Sequence, residues 1–276
     1  MGVLLGLLAA AFYGSADFCG GLATKRASTW SVTIVSQAAG FAVLLAVIWF
    51  FPSAATAQDY GWGFLGGLCG GLGIALLYYA LSVGRMGIVS PITAVLAAIV
   101  PVAVGVVRGE HLRGLQVAGI LAALAGIALV SMTEDRGGDG SADRGVGAAV
   151  ASGLVLGGFL LFLAQSGPHA GLRPLVATRV GSIGLLAAIA VVRRESLFPG
   201  RGVLPLVVFA GLIDMSANVL YVLATFNGYL SVAAVLTSLY PASTVLLSVI
   251  FLKERFVGRQ AVGIVLALAG VVGIAA

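Results

Sequence analysis

Charged residues are scarce in this chain. Only 9% of its 276 residues are Asp, Glu, Lys or Arg, whereas 60% are hydrophobic. A soluble globular domain carries about 25% charged residues, so this chain has too few to cover a water-facing surface. The composition therefore excludes a soluble protein and predicts a membrane protein.

Segments of alternating polarity are also missing. A transmembrane β-barrel is built from strands of about ten residues in which apolar and polar side chains alternate. Residues 1–23 and 203–226 are instead nearly continuous apolar runs. A helix needs about 20 such residues to cross the hydrocarbon core of a bilayer. The pattern predicts an all-α membrane protein.

Little of what an enzyme requires is present. The two histidines, His111 and His169, are lone residues in predicted loops, and neither H-E-x-x-H nor G-x-S-x-G occurs. Cys19 and Cys69 lie in apolar runs, where thiols pack as small hydrophobic groups. We therefore expect no enzyme, no catalytic residue, no metal site and no cofactor. The net charge of +5 is spread over the loops, which excludes nucleic acid as a partner.

Charged, proline-rich and glycine-rich positions divide the chain into ten apolar spans. We place these spans at 2–24, 31–51, 60–83, 87–107, 114–132, 145–166, 171–192, 203–226, 230–252 and 258–275. The first span has no basic segment before it and no cleavage site after it, so we expect it to be retained. The polar stretch 133–144 separates five spans from five and reads as a linker.

The two sets of spans repeat one another. When the sequence is shifted by 144 residues, identical residues coincide at Ala80 and Ala224, Gly84 and Gly228, Thr93 and Thr237, Glu110 and Glu254, Gly114 and Gly258, and Gln116 and Gln260. This match divides the chain into a first repeat at 1–132, a linker at 133–144 and a second repeat at 145–276. Because each repeat has an odd number of spans, the second must enter the membrane from the opposite side. The expected fold is ten transmembrane helices arranged as two inverted five-helix repeats, a construction typical of secondary transporters.

Both repeats end in similar segments. In each repeat, a Gly-Glu or Lys-Glu step precedes a glycine-rich last helix, as in RGEHLRGLQVAGILAALAG and LKERFVGRQAVGIVLALAG. The first span of the chain and the loop after it contain the segment AFYGSADFCGGLATKRAS. In these segments and in its two five-helix halves, the chain resembles the EamA-type branch of the drug/metabolite transporter superfamily. The resemblance implies a central cavity between the halves and alternating access, usually in the export direction. Members of that family move amino acids, sugars, nucleobases and toxic cations, so the resemblance names no single substrate.

The loop charges leave two orientations open. If the amino terminus is cytoplasmic, as in the family, the cytoplasmic loops carry Arg108, Arg113 and Arg173. The opposite side then carries Lys25, Arg26, Arg85, Arg136, Arg144, Arg193, Arg194, Arg201, Lys253, Arg255 and Arg259. The positive-inside rule therefore favours termini that face outward, whereas the resemblance favours termini in the cytoplasm.

Three charged residues, Asp17, Arg179 and Asp214, lie inside predicted spans and away from their ends. A charge at the bilayer centre costs at least about 2.5 kcal/mol, so each is a candidate functional group. Asp214 is the leading candidate for solute or proton binding, because Asn218 and Tyr221 follow it on the same helical face. Asp17 supplies a second carboxylate from the other half. The alternative is a structural salt bridge between Arg179 and one of the aspartates.

Several tyrosines offer an apolar ring and a hydrogen-bonding tip inside the spans. We include Tyr78, Tyr79 and Tyr240 with Tyr221 as candidate substrate-binding residues, the alternative being packing or anchoring at the membrane interface. Gln37 lies in the second span, where an amide usually joins neighbouring helices. We therefore leave Gln37 outside the predicted site.

Two prolines and two glutamates are candidates for motion. Pro101 and Pro241 lie inside the fourth and ninth spans, where they act as hinges or as fixed bends. Glu110 and Glu254 occupy the same position in the two repeats, at the ends of spans four and nine. Each glutamate either caps a helix and forms an ion pair with a nearby arginine, or belongs to a gate at the membrane face.

Together, these features predict a secondary active transporter in the cell membrane. It would export a small organic metabolite or drug-like solute, driven by proton exchange or by the solute gradient. Its expected partners are the small-molecule solute, protons as a candidate coupling ion, and membrane lipids, and the oligomeric state is left open. A non-transporting scaffold or sensor, or a passive facilitator of the same fold, is the alternative.

Overall fold

The chain folds into a bundle of helices. The computed structural model describes residues 2–107, 109, 113–131, 141–166, 168–226, 236–237, 239–256 and 258–275. In this part of the chain we number ten α-helices: α1 (Gly2–Thr24), α2 (Thr29–Val47), α3 (Ala57–Val83), α4 (Met86–Val107), α5 (Gly114–Ser131), α6 (Ser141–Ala164), α7 (Pro174–Val192), α8 (Leu204–Phe226), α9 (Tyr240–Leu252) and α10 (Gly258–Ala275). Two short 3₁₀ helices, Ile48–Phe50 and Pro168–Ala170, lie after α2 and before α7.

Most of these helices are built to cross a membrane. Over the described residues, seven are long and apolar enough to do so, namely α1 to α4 and α6 to α8. The remaining three, α5, α9 and α10, are apolar but shorter over the same residues. The ninth span was expected to begin at 230, and residues 227–235 lie outside the described part. The helices indicate a multi-pass membrane protein.

The start of α3 differs from the expected boundary at 60, because a capping box extends the helix to Ala57. The Thr56 N–H donates to Asp59 Oδ2 at 2.8 Å, and the Asp59 N–H donates to the Thr56 hydroxyl at 3.4 Å. Such reciprocal bonds satisfy N–H groups that a helix end leaves without partners. An apolar-run criterion overlooks them because the capping residues are polar.

The last residues of the expected linker, 133–144, are helical in the structure, because α6 begins at Ser141. Residues 132–140 lie outside the described part.

Loops gather at two ends of the bundle. At the first, which we call the Arg85 end, the α3–α4 loop meets the α9–α10 segment, and Arg85 Nη1 donates to Gln260 Oε1 at 3.0 Å. At the second, the Asp59 end, the α2–α3 loop meets the α6–α7 loop, and the Ala54 N–H donates to the His169 carbonyl at 2.9 Å. Each end therefore joins a loop of residues 1–132 to a loop of residues 145–276.

The contacts between the two halves follow a two-fold pattern. If α1–α5 are replaced in order by α6–α10 and the reverse, one helix contact becomes another. Helix α1 packs on α8 as α6 packs on α3, and α2 packs on α8 as α7 packs on α3. Likewise, α1 contacts α9 as α6 contacts α4, while α2 contacts α7 and α5 contacts α10. The two halves are thus interleaved, and their shared interface forms the core of the bundle.

A glycine ridge brings α3 close to α7. Gly63, Gly67 and Gly71 lie on one face of α3, and a Cβ on Gly67 would lie only 2.8 Å from the Thr178 Cα. The Thr178 hydroxyl donates to the Gly63 carbonyl at 2.9 Å. Small residues allow the two backbones to approach this closely. The resulting van der Waals packing holds helices together inside a membrane, where the hydrophobic effect does not drive their association. The contact also sets the depth of Arg179, the next residue of α7, in the bundle.

Candidate functional site

A cavity of about 420 Å³ lies between the two halves. Helices α1 to α4 line it on one side, and α6 to α10 line it on the other together with Thr237. Its volume falls in the range of small-molecule sites, and its wall is mainly apolar with a few polar groups, as such sites require.

The cavity extends toward the Asp59 end of the bundle. Leu175, the second residue of α7, and Leu160, in the penultimate turn of α6, both line it. Toward the Arg85 end, its wall reaches Tyr78 in the last two turns of α3, and Ser36 and Ala94, which lie about two turns from the starts of α2 and α4. The cavity is therefore nearer to the Asp59 end than to the Arg85 end.

An ion pair forms part of the cavity wall. Arg179 Nη2 lies 2.7 Å from Asp214 Oδ2, and Arg179 Nη1 donates to Gln37 Oε1. The same Gln37 oxygen accepts a hydrogen bond from the Ser182 hydroxyl at 3.2 Å. Of the two salt bridges that the sequence left open for Arg179, the structure contains the one with Asp214. Gln37, which we left outside the predicted site, belongs to its wall.

Asp17 is the third charged residue in the wall. It is only 8% exposed, and among the described residues it makes neither a hydrogen bond nor an ion pair. The sequence ranked Asp214 ahead of Asp17, but the structure reverses their availability: Asp214 already has a cationic partner. The reason is helix packing, because α7 and α8 bring Arg179 and Asp214 together in the second half.

Most of the other predicted binding residues also reach the cavity. Its wall contains Tyr78, Asn218, Tyr221 and Tyr240. The Asn218 side chain donates to the Asp214 carbonyl at 2.9 Å, one helical turn away. These residues come from both halves, as the central-cavity expectation requires.

Tyr79, unlike Tyr78, lies outside the cavity. Tyr78 is 3% exposed and lines the cavity, whereas Tyr79 is 38% exposed and lines a separate surface pocket beside Trp30 and Arg193. Consecutive residues of a helix point about 100° apart, and here that angle turns Tyr79 away from the cavity that Tyr78 lines.

Tyr13 is a cavity residue that sequence reasoning missed. It lies one turn before Asp17 on α1, and its ring meets the ring of Tyr240 edge-on at 6.3 Å between centroids. Tyr13, Tyr78 and Tyr240 all line the cavity together with Asp17. The spacing of four residues between Tyr13 and Asp17 was the signal that pointed to a shared face.

Glu254 joins the two halves at the Arg85 end. Its carboxylate oxygens accept hydrogen bonds from the backbone N–H groups of Met86, at 2.9 Å, and Gly87, at 3.1 Å. A carboxylate at a helix N-terminus is favourable, because it satisfies free N–H groups and complements the helix dipole. Arg85 donates to the Arg255 carbonyl beside it. Glu254 thus caps α4 of the other half, while its repeat equivalent Glu110 lies outside the described residues.

The two predicted hinge prolines have different settings. Pro101 lies inside α4, where it removes the N–H that would bind the Ala97 carbonyl, and Ala97 lines the cavity. Pro241 lies in the first turn of α9, which begins at Tyr240, and not in the helix interior. In the first turn of a helix, a proline costs nothing, since the N–H there has no helical acceptor.

His169 is not isolated, contrary to the sequence expectation. Its Nε2 lies 3.1 Å from Asp59 Oδ2 at the Asp59 end of the bundle. Residues 59 and 169 are in different halves, so their proximity is a product of the fold. Over the described residues, no cluster of three or more His, Cys, Asp or Glu side chains is arranged to hold a metal.

The sequence profile of the EamA-like transporter family matches the chain twice, at residues 1–132 and 143–276. The chain belongs to the EamA-like transporter family. EamA proteins form part of the drug/metabolite transporter superfamily, and they are transporters rather than enzymes. The two matches also show that this EamA protein consists of two repeated halves.

A solved crystal structure shows the same fold. It is 19% identical in sequence to this EamA protein, and the match covers 99% of this chain and 97% of that chain with a TM-score of 0.62. At this identity the likeness concerns the fold alone. Among curated proteins, none matches the chain significantly.

Proposed function

We propose that this EamA protein is a secondary active transporter that moves a small organic solute across the cell membrane by alternating access, in the export direction. The observation that carries the proposal is the cavity between the halves, to which the first half contributes Asp17 and the second half contributes Arg179 and Asp214. Secondary transporters bind their solutes at the interface between repeated halves. Either proton exchange or the solute gradient drives the cycle.

An inverted relation between the halves is part of this proposal. The reciprocal contacts of α1–α5 with α6–α10 support a two-fold relation between them. Five helices in each half support opposite insertion, because an odd number of crossings ends on the other side of the membrane. Rocking of one half against the other would then expose the same cavity first to one side and then to the other.

The Arg85 end is the gate that we propose for the present conformation. Arg85 and Glu254 hold the α3–α4 loop against the α9–α10 loop, at the end that the cavity does not reach. These bonds connect the halves without a covalent link, so they can separate when that end opens. Pro101 leaves the α4 hydrogen-bond ladder open beside the cavity and is the proposed hinge of this motion.

A ligand screen followed by reconstitution tests the proposal. Thermal stability of the purified protein in detergent is measured with amino acids, sugars, nucleosides and lipophilic cations at two pH values. A ligand present at 100 times its dissociation constant stabilises the folded state by about 2.7 kcal/mol. Each stabilising solute is then measured for flux in proteoliposomes.

Two variants, one in the cavity wall and one away from it, test whether flux depends on the cavity. We expect Asp214→Asn to lose solute flux, because it removes the partner of Arg179 in the cavity wall. Glu195→Gln neutralises a carboxylate in the α7–α8 loop, where Glu195 accepts a hydrogen bond from Ser28, and it should retain flux. A folded protein that binds a solute and shows no flux would instead support the scaffold or sensor alternative.

A further inference from the structure

The charges in the cavity wall do not cancel. The described wall residues carry two carboxylates, Asp17 and Asp214, and one guanidinium, Arg179. With all three groups ionised, these described residues carry one excess negative charge.

The positive group in the wall already has an anionic partner. Arg179 donates one hydrogen bond to Asp214 and one to Gln37, so the Asp214 carboxylate balances its charge. A carboxylate or phosphate on the solute would share Arg179 with Asp214 and would also meet the repulsion of Asp17. An anionic solute is therefore disfavoured.

Asp17 is a buried carboxylate without a counter-ion. It is more than nine-tenths buried and lines the cavity, and among the described residues it has neither a hydrogen-bond partner nor a cationic partner. Burying a charge without compensation is costly, whereas pairing it with an opposite charge recovers much of that cost. Because Asp17 lines the cavity, a cationic group on a solute bound there can supply that opposite charge.

Aromatic rings line the same cavity. Tyr13, Tyr78, Tyr240 and Phe159 all belong to the wall that contains Asp17. Aromatic faces attract cations, and more strongly where water is excluded. The apolar remainder of the wall suits an apolar body on the solute.

We propose that the solute is an organic monocation, an ammonium group on an apolar or aromatic body, whose charge binds Asp17. Arg179, Asp214 and Gln37 form a fixed polar wall beside it. This inference rests on the proposed transport function, because it names the substrate class of the same cavity. The volume of about 420 Å³ accommodates one such molecule.

A charge series on a constant body tests the inference. The probes are phenethylamine as cation, phenethyl alcohol as neutral analogue, phenylalanine as zwitterion and hydrocinnamate as anion, with phenethyltrimethylammonium as a cation that has no N–H donor. A second series carries a pentyl chain in place of the phenethyl group. Thermal stabilisation of the purified protein is measured for each probe at neutral pH.

Two substitutions at one position isolate the charge. Asp17→Asn keeps the shape of the side chain and removes its charge, and Asp17→Glu retains the charge. We expect the cations to stabilise the wild-type protein and Asp17→Glu, and to bind Asp17→Asn at least about tenfold more weakly, a difference of about 1.4 kcal/mol. Glu195→Gln should bind them as the wild type does. Unliganded melting curves identify any variant that fails to fold.

Three results would overturn the inference. One is equal stabilisation of the wild type and Asp17→Asn by the cations. Another is stronger stabilisation by an anion, a zwitterion or a neutral analogue than by the matching cation. The third is failure of every cation to stabilise the wild type.

Counterflow in proteoliposomes separates this inference from the transport function. Vesicles loaded with unlabelled phenethylamine should take up the labelled compound faster than protein-free vesicles. Binding that depends on Asp17 without counterflow would refute transport and leave the charge preference of the cavity intact. Counterflow of a neutral or anionic solute instead would support transport and overturn the cationic substrate class.

Discussion

Asp17 and Asp214 are the same residue type in the same cavity, but their neighbours give them different roles. Asp214 shares its charge with Arg179, and the pair is held by Gln37 and Ser182. Asp17 lines the same cavity and has no hydrogen-bond or ionic partner among the described residues. One carboxylate therefore contributes to the stability of the protein, and the other is available to a solute.

Neutralising the two aspartates should have opposite effects on stability. Asp214→Asn leaves the partly buried Arg179 without its ionic partner, and we expect a loss of about 1 to 3 kcal/mol. Asp17→Asn removes an uncompensated buried charge, so the unliganded protein should be as stable as the wild type or more stable. Thermal unfolding in detergent measures both. A loss for Asp17→Asn as large as that for Asp214→Asn would contradict this assignment.

The charged residues of the site could be predicted from the sequence, but their partners could not. A charge inside an apolar run is conspicuous because of its cost in a membrane, which singled out Asp17, Arg179 and Asp214. Which helix faces which depends on packing between segments distant in sequence. Helix α3 is apolar on all sides, so no periodicity indicates its orientation, and Tyr79 was placed in the cavity beside Tyr78 for that reason.

At the scale of elements, the glycine ridge of α3 sets the position of α7. The four-residue spacing of Gly63, Gly67 and Gly71 predicts close helix packing, and the structure shows α7 as the helix packed there. The ends of helices were less predictable. The expected ninth span runs from 230, while α9 begins at Tyr240 in the described part, next to Pro241. Polar caps and prolines in first turns are invisible to a search for apolar runs.

Adding one methyl group to this ridge should destabilise the protein. The Cβ of Gly67→Ala would meet the backbone of Thr178, which cannot move aside as a flexible side chain does. Overpacking of this kind costs about 1 to 3 kcal/mol. Gly61→Ala is the matched control on the same helix, because nothing lies within 4 Å of its added Cβ.

The control should leave stability unchanged or raise it by up to about 1 kcal/mol, since alanine is the better helix former. Thermal melting of both variants in the same detergent makes the comparison. Equal losses at Gly61 and Gly67 would mean that the ridge does not form the close contact with α7.

At the scale of the whole molecule, the two ends of the bundle differ in charge. The loops at the Arg85 end carry most of the Lys and Arg residues of the sequence, among them Arg193, Arg194 and Arg201. The positive-inside rule places such loops in the cytoplasm. The cavity extends toward the opposite, Asp59 end, so this orientation would make the present conformation outward-facing.

Reporter fusions test the orientation. An alkaline phosphatase fused to the carboxyl terminus should be active and a green fluorescent protein fused there should be dark, because we expect both termini outside. Fusions after Arg201, in the α7–α8 loop, should give the reverse pattern and serve as the control. A fluorescent carboxyl-terminal fusion would reject the charge-based orientation and favour the orientation that the family resemblance implies.

The central claim is that one cavity between the two halves is exposed alternately to the two sides of the membrane. The most direct measurement is labelling of a single cysteine at Ala98, a small and half-buried residue of the cavity wall. Cys19 and Cys69 are first replaced by serine, and an impermeant maleimide is applied to right-side-out and to inverted vesicles. Ser196→Cys, in the exposed α7–α8 loop, calibrates sidedness because it should react from one side only.

We predict that the cysteine at Ala98 reacts from both sides of the membrane. Its reaction from the side of the Arg85 end should increase in Glu254→Gln, since that variant weakens the bonds to Met86 and Gly87. Reaction from a single side only, unaffected by Glu254→Gln and by a bound solute, would contradict alternating access in this protein.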